Sequence, residues 1–147
     1  VVISGQRINM KIKPGTRDGE VLRLKGKGNA GNRGGPTGDL YLTVRISEHP
    51  YFKRKEDDLH CEVPLDLYTA VLGGKASIRT LKGIVKINIP AGTDNGKVLR
   101  LKGLGMAKFG STSEFGYLYA KISIQIPKNL SSRETELFNE LAKLRNS

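Results

Sequence analysis

The sequence predicts an all-β protein made of two tandem, similar β-sandwich domains, with a short helix in the second and an amphipathic helix at the C-terminus. Three observations carry that expectation. A long segment recurs within the chain, apolar and polar residues alternate with a period of two, and glycine-containing turns separate the alternating runs.

The repeat aligns Gly15-Thr16-Arg17-Asp18-Gly19-Glu20-Val21-Leu22-Arg23-Leu24-Lys25-Gly26-Lys27-Gly28 with Gly92-Thr93-Asp94-Asn95-Gly96-Lys97-Val98-Leu99-Arg100-Leu101-Lys102-Gly103-Leu104-Gly105, an offset of 77 residues (92 − 15). Ten of the fourteen positions are identical. The match continues upstream, where Ile8, Met10 and Ile12 parallel Val85, Ile87 and Ile89. Downstream, Gly38-Asp39-Leu40-Tyr41 parallels Gly116-Tyr117-Leu118-Tyr119. Two copies at this spacing describe a tandem duplication, since solenoid periods are shorter and their copies more numerous. The second copy carries a preamble, residues 59–84, whose counterpart under the offset falls upstream of residue 1. The chain is therefore expected to begin inside its first domain.

Each run can be justified in order. Ile8, Met10 and Ile12 alternate with Asn9, Lys11 and Lys13; Leu22 and Leu24 alternate with Arg23 and Lys25; Leu40, Leu42, Val44 and Ile46 alternate with Tyr41, Thr43 and Arg45. Successive strand residues point to opposite faces, so each run gives one apolar and one polar or basic face. Pro14-Gly15, Asp18-Gly19, Ala91-Gly92 and Asn95-Gly96 supply turn chemistry between the runs. Residues 64–72 predict a short helix, with Leu65, Tyr68 and Leu72 at helical spacing before Gly73-Gly74. At the C-terminus, Ser131-Ser132-Arg133-Glu134 reads as a capping box, and Leu137, Phe138, Leu141 and Leu144 form an apolar stripe. That stripe either packs back on the second domain, with Leu137 and Leu141 inward, or makes a dimer contact. The domain boundaries expected from this pattern are 1–54, 55–130 and 131–147.

Several chemistries find no support in the residues. Gly26-Lys27-Gly28-Asn29-Ala30-Gly31 satisfies the dinucleotide pattern, but Asn32-Arg33-Gly34-Gly35-Pro36 follows where a helix must receive the pyrophosphate. Gly74-Lys75 and Gly96-Lys97 are followed by Ala76 and Val98 instead of the Ser or Thr that a P-loop places on magnesium. His60 and Cys61, as adjacent strand residues, face opposite ways, which predicts one exposed imidazole and one inward thiol rather than a nucleophilic pair. A single cysteine provides neither a disulfide framework nor a cysteine-cluster zinc site. The expectation is a binding protein, with no catalytic residues, no metal and no cofactor.

The net charge is +11, divided as +5 over residues 1–58 and +6 over residues 59–147. Lys11 and Lys13 on one run, and Arg23, Lys25 and Lys27 on another, predict a basic stripe that would suit DNA as an alternative partner. Polar outer faces and edge lysines are equally what any sheet requires. No apolar run approaches the roughly 18 residues of a membrane span, and residues 1–7 lack the plan of a signal peptide, so a cytoplasmic protein without membrane partners is expected.

The connector His49-Pro50-Tyr51-Phe52-Lys53-Arg54-Lys55-Glu56-Asp57-Asp58-Leu59, the duplicated glycine-rich turns and Leu72-Gly73-Gly74 together resemble the C-terminal substrate-binding region of DnaJ-type J-domain co-chaperones. The resemblance covers essentially the whole chain. It is nearest to members without a cysteine-rich zinc module, including the curved-DNA-binding relatives. His49-Pro50-Tyr51 lies in the connector and is not the His-Pro-Asp signature of a J-domain, which this sequence does not contain. The resemblance implies a horseshoe homodimer joined at its C-terminal end, unfolded client polypeptides as ligands and a DnaK-type chaperone as partner. It implies further that a shallow apolar groove on the first domain receives an extended client segment. By position, Val1 and Ile3 match the groove-lining strand and Leu42 matches an apolar residue of the strand beside it.

Overall fold

The protein is described by a computed structural model covering residues 2–3, 6–7, 9–28 and 38–146. Ten strands and two helices appear among them: β1 (Val2–Ile3), β2 (Gln6–Arg7), β3 (Val21–Leu24), β4 (Leu40–Thr43), β5 (Lys53–Lys55), β6 (Asp58–Asp66), α1 (Leu67–Leu72), β7 (Gly74–Thr80), β8 (Gly83–Ile89), β9 (Val98–Leu101), β10 (Leu118–Gln125) and α2 (Ser132–Asn146). The fold is all-β with a C-terminal helix. Its sheets are the hairpins β1-β2, β3-β4 and β7-β8 and a four-stranded sheet in the order β5-β6-β10-β9.

Two compact units result. The first takes the described residues of Val1–Cys61 with Thr80–Lys82 and Leu99–Ala120; the second takes Glu62–Arg79, Gly83–Val98 and the described residues of Lys121–Ser147. In the first, Phe52, Leu59, Cys61, Leu118 and Ala120 are buried; in the second, Val63, Leu65, Ala70, Ala76, Ile78, Ile89 and Ile122 are. Period two explains most of both sets, since alternate residues of β6, β7 and β10 are removed from water, while Phe52 precedes β5 and Ala70 is the buried residue of α1.

The duplication is visible turn by turn. Thr16 Oγ1 donates to the Lys13 carbonyl at 2.6 Å, and Thr93 Oγ1 donates to the Pro90 carbonyl at 2.6 Å. Asp18 Oδ1 accepts from the Ile46 N–H at 2.8 Å, while Asn95, its counterpart, accepts from the Ile124 N–H through Oδ1 at 2.8 Å. The Asp-to-Asn difference preserves the one function both side chains serve, a carbonyl-like oxygen presented to a backbone donor. Gly19 and Gly96 both have positive φ, 85° and 83°, a conformation that glycine adopts without steric cost. Their N–H groups donate to Val44 O and Ile122 O respectively, closing each turn onto the following strand.

Three expectations are corrected. Residues 9–13, expected as a strand with Ile8, are irregular, and Ile8 lies outside the described residues. The parallel residues of the second copy form β8, paired with β7, whereas in the first copy β1 and β2 pair at Val2↔Arg7 and Ile3↔Gln6. The short helix begins at Leu67 rather than residue 64, because Leu65 continues the buried alternation of β6. Asp66 then caps the helix, accepting from the Thr69 N–H at 2.9 Å and the Thr69 hydroxyl at 2.7 Å. Those two bonds hold the Asp66 carboxyl below its usual pKa. Ala70 is the buried residue of α1, whereas Tyr68 and Leu72 are exposed, Leu72 at 75%. Lastly, β4 ends at Thr43, although Val44 keeps its N–H on Glu20 O at 2.7 Å. The pattern over residues 26–31 runs beyond Gly28 into residues outside the description.

Candidate functional site

The first-copy hairpin β3-β4 is antiparallel with Leu22 opposite Leu42 and Leu24 opposite Leu40. All four leucines share one face, and all four are half-buried. On the other face, Val21, Arg23, Tyr41 and Thr43 are exposed. The second copy provides an internal reference. There the residues parallel to Leu40 and Leu42 are Leu118 and Ala120, both 0% exposed. The parallel strands β3 and β9 are alike, with Leu22, Leu24, Leu99 and Leu101 all half-buried, so the contrast lies in the partner strand, accessible at Leu40 and Leu42 and sealed at Leu118 and Ala120. Fully covering a leucine side chain is worth roughly 1.5–3 kcal/mol, so the accessible face has a real tendency to take up apolar groups.

Leu42 is therefore placed on an apolar, accessible face. Ile3 lies in β1, whose partner is β2, and β1 and β4 are not neighbours in one sheet among the described residues. Val1 lies outside the described residues. A shallow depression at the end of β4 is lined by Asp18, Gly19, Thr43, Val44, Arg45 and Ile46, adjoining the same hairpin.

The basic residues do not share a strand face. Lys11 and Lys13 are exposed in the irregular segment, with Lys13 Nζ 5.7 Å from the centroid of the Phe109 ring. Arg23 alone of the second group lies on β3, and it is engaged: its Nε donates to Asp39 Oδ2 at 2.6 Å. Asp39 also accepts from the Gly26 N–H, and that bond, followed by the Arg23 pairing, lowers its pKa. Lys25 and Lys27 follow the end of the strand.

The C-terminal helix is capped as expected. Ser131 N–H donates to Glu134 Oε1 at 2.9 Å and Glu134 N–H donates to Ser131 Oγ at 3.1 Å. Its apolar stripe, however, is outward: Leu137, Leu141 and Leu144 are exposed, and Phe138 alone is half-buried, its ring 6.3 Å from that of Tyr68. Leu137 and Leu141 are not turned into the second unit. A six-residue α1 offers too little surface to cover a 15-residue helix.

Two features escaped sequence reasoning. Arg54 donates to the carbonyls of Gly15 (3.0 Å), Thr16 (2.8 Å) and Glu56 (2.7 Å), tying the connector to the first of the duplicated turns. No spacing announces such a contact. The second is a row of rings on the outward face of the four-stranded sheet: His60 stacks on Tyr119 at 5.0 Å, Tyr119 lies 6.2 Å from Tyr117, and the Arg100 guanidinium sits 4.8 Å from the Tyr117 centroid. The strand order β5-β6-β10-β9 brings His60 and Arg100 beside the two tyrosines, a placement that no local pattern carries. Cys61 is buried as expected from its neighbour's exposure, and burial pushes its thiol pKa up, partly countered by a hydrogen bond with Tyr51. Among the described residues, no three His, Cys, Asp or Glu side chains gather as a metal site, and no helix is long and apolar enough to cross a membrane.

The chain is a duplicated β module with glycine-fixed turns and an accessible apolar hairpin face. Residues 2–127 match the model of the DnaJ C terminal domain, and the chain belongs to that family. It is 43% identical over 144 residues to the chaperone protein DnaJ of Brucella anthropi and 44% identical over 144 residues to those of Brucella canis and Brucella suis. Each match covers 97% of this chain and 38% of the relative. The chain thus spans well under half the length of the curated relatives it matches.

Proposed function

We propose that this chain is the client-holding part of a DnaJ-type co-chaperone, which binds unfolded or apolar polypeptide segments and passes them to a DnaK-type chaperone. The observation that carries the reading is the contrast between Leu42 and Ala120: the same position of the duplicated module is accessible in one copy and sealed in the other. An extended client segment laid against β3-β4 would bury its alternate apolar side chains on Leu22, Leu24, Leu40 and Leu42. Backbone bonds at a strand edge are sequence-tolerant, and shallow apolar contacts give weak, broad selection. Ile3 and Val1 contribute the adjoining wall in this reading.

The division of labour follows the duplication. Residues 1–54 hold the client, residues 55–130 form the second domain, and residues 131–147 join two copies through the exposed stripe of α2. The chain is read as cytoplasmic and as acting by binding, not by catalysis. A DNA-binding role for the basic residues has less support, because Arg23 is already paired with Asp39 and Lys25 and Lys27 lie past the strand.

The test is suppression of aggregation of a chemically unfolded protein. The wild-type chain is expected to slow light scattering, and Leu42→Asp, on the half-buried face, is expected to lose most of that effect. Equal protection by the two would contradict the assignment.

A further inference from the structure

The row of rings on the outward face of the four-stranded sheet is not used by the client reading. It lies on the face opposite the buried residues: Tyr119 stands between Leu118 and Ala120 in sequence, and His60 between Leu59 and Cys61. We propose that Lys53, His60, Tyr119, Tyr117 and Arg100 form a binding site for single-stranded nucleic acid.

The geometry combines the two elements such a ligand requires. Ring centroids at 5.0 Å and 6.2 Å form a continuous aromatic strip across β6 and the start of β10, with His60 exposed and both tyrosines half-accessible. Unpaired bases have apolar, polarisable faces that stack on such a strip with little regard to sequence. Cations flank it on both sides. Lys53 is directly opposite His60 in the β5-β6 register, and Arg100 caps the Tyr117 end. These positions suit the phosphates on either side of stacked bases. Of the acids nearby, Asp58 accepts from the Tyr117 N–H at 2.8 Å and Asp57 pairs with Arg17, so both are committed within the protein; Glu62 lies two residues further along β6. Duplex DNA offers no base faces and gains nothing from the rings.

Cross-strand ring pairs also stabilise sheets, and the experiment must separate that role from ligand binding. The chain has no Trp and five Tyr, so base stacking is read directly as quenching of tyrosine emission, beside the anisotropy of a labelled oligothymidylate. Titration of the full 147-residue chain at low salt is expected to give saturable binding with quenching, and affinity falling as salt rises. Tyr119→Leu, which keeps an apolar strand residue, is expected to weaken binding roughly ten- to a hundredfold, the range for loss of one stacking partner. His60→Ala provides a second variant at an exposed position and is expected to weaken binding in the same direction. Lys25→Glu is expected to leave it within about twofold. Absence of binding at low salt, equal affinity for duplex, or Tyr119→Leu and His60→Ala binding like wild type with unchanged far-ultraviolet circular dichroism would each overturn the site. Loss through Lys25→Glu alone would assign binding to the basic segment instead. Displacement of the oligonucleotide by an apolar peptide, with Leu42→Asp abolishing both, would place the nucleic acid on the client face and equally overturn it.

Discussion

Arg54 donates to the carbonyl oxygen of Thr16 at 2.8 Å across 38 residues of sequence. The same guanidinium reaches Gly15 O and Glu56 O, so one side chain satisfies three backbone acceptors from two segments. Glu56 helps by adopting φ 57°, which bends the chain back toward the arginine. The turn so held continues into Asp18 and Gly19, which bond the residues following β4. Arg54 thereby links the connector to the hairpin that carries Leu42.

Removing that link is expected to cost stability. Hydrogen bonds to charged donors contribute about 1.5–3 kcal/mol, and two of the bonds are partly buried. Arg54→Ala is expected to lower the unfolding free energy by an amount in that range, read from urea denaturation. Arg54→Lys is expected to recover only part of it, because an ammonium lacks the planar fork that serves several carbonyls at once.

The duplicated glycines Gly15 and Gly92 are expected to respond differently to the same substitution. Their φ values, 78° and 75°, are equivalent. Around Gly92 a Cβ would meet nothing within 4 Å, so Gly92→Ala is expected to cost about 1–2 kcal/mol, the backbone cost alone. At Gly15 a Cβ would overlap the Ala107 carbonyl oxygen and lie 2.6 Å from Phe109 N, both backbone atoms that cannot swing aside. Gly15→Ala is expected to lose clearly more, by chemical denaturation of the two variants side by side.

The cap of α2 predicts a pH dependence. The Ser131 N–H, followed by the Ser131 hydroxyl, favours the charged form of Glu134 and lowers its pKa below the usual 4.5. A lowered folded-state value means the contribution is complete above the ordinary carboxylate range and is lost as pH falls through the folded value. Helical circular dichroism is expected to decline in that acidic window. Ser131→Ala is expected to reduce helicity at neutral pH but to keep most of the acid-dependent change, because the residue-131 N–H still donates to Glu134; Glu134→Gln is expected to remove that change.

The outward stripe of α2 predicts self-association. Leu141 is 58% exposed, and Leu137 and Leu144 continue the same face. Wild-type chain is expected to sediment as a dimer, and Leu137→Glu with Leu141→Glu as a monomer with its β-sheet spectrum retained. A monomeric wild type would contradict the assignment.

Much of the fold is legible because a duplication and a period of two are local patterns. The paired turns at Gly19 and Gly96, the inward Cys61 and outward His60, and the Ser131–Glu134 box all follow from neighbours in sequence. Errors arose where local signals compete. Leu65 fits helical spacing with Tyr68, yet it also completes the alternation of β6, and burial on a long strand outweighs a six-residue helix. The segment after Ile8 has the right alternation but not the paired strand that its counterpart β8 has. Contacts between distant loops were not legible at all: nothing near Gly15 in sequence points to Ala107 or Arg54. For the candidate site, alternation placed Leu42 on an apolar face and the family resemblance proposed it as a client contact, whereas its accessibility emerged only from comparison with Ala120. Of the expected basic stripe, Lys25 and Lys27 lie past the end of β3, and Asp39, brought beside the strand only through pairing, engages Arg23.

The most direct measurement is a titration of a fluorescent, aromatic-rich peptide into the chain at low and high salt, alongside Leu42→Asp and the Ile3→Asp/Leu42→Asp double variant. Binding that tolerates salt in the wild type and is lost in both variants, with the β-sheet spectrum unchanged, is the predicted result. Binding of equal strength in wild type and variants would contradict the client face, as would its absence at either salt.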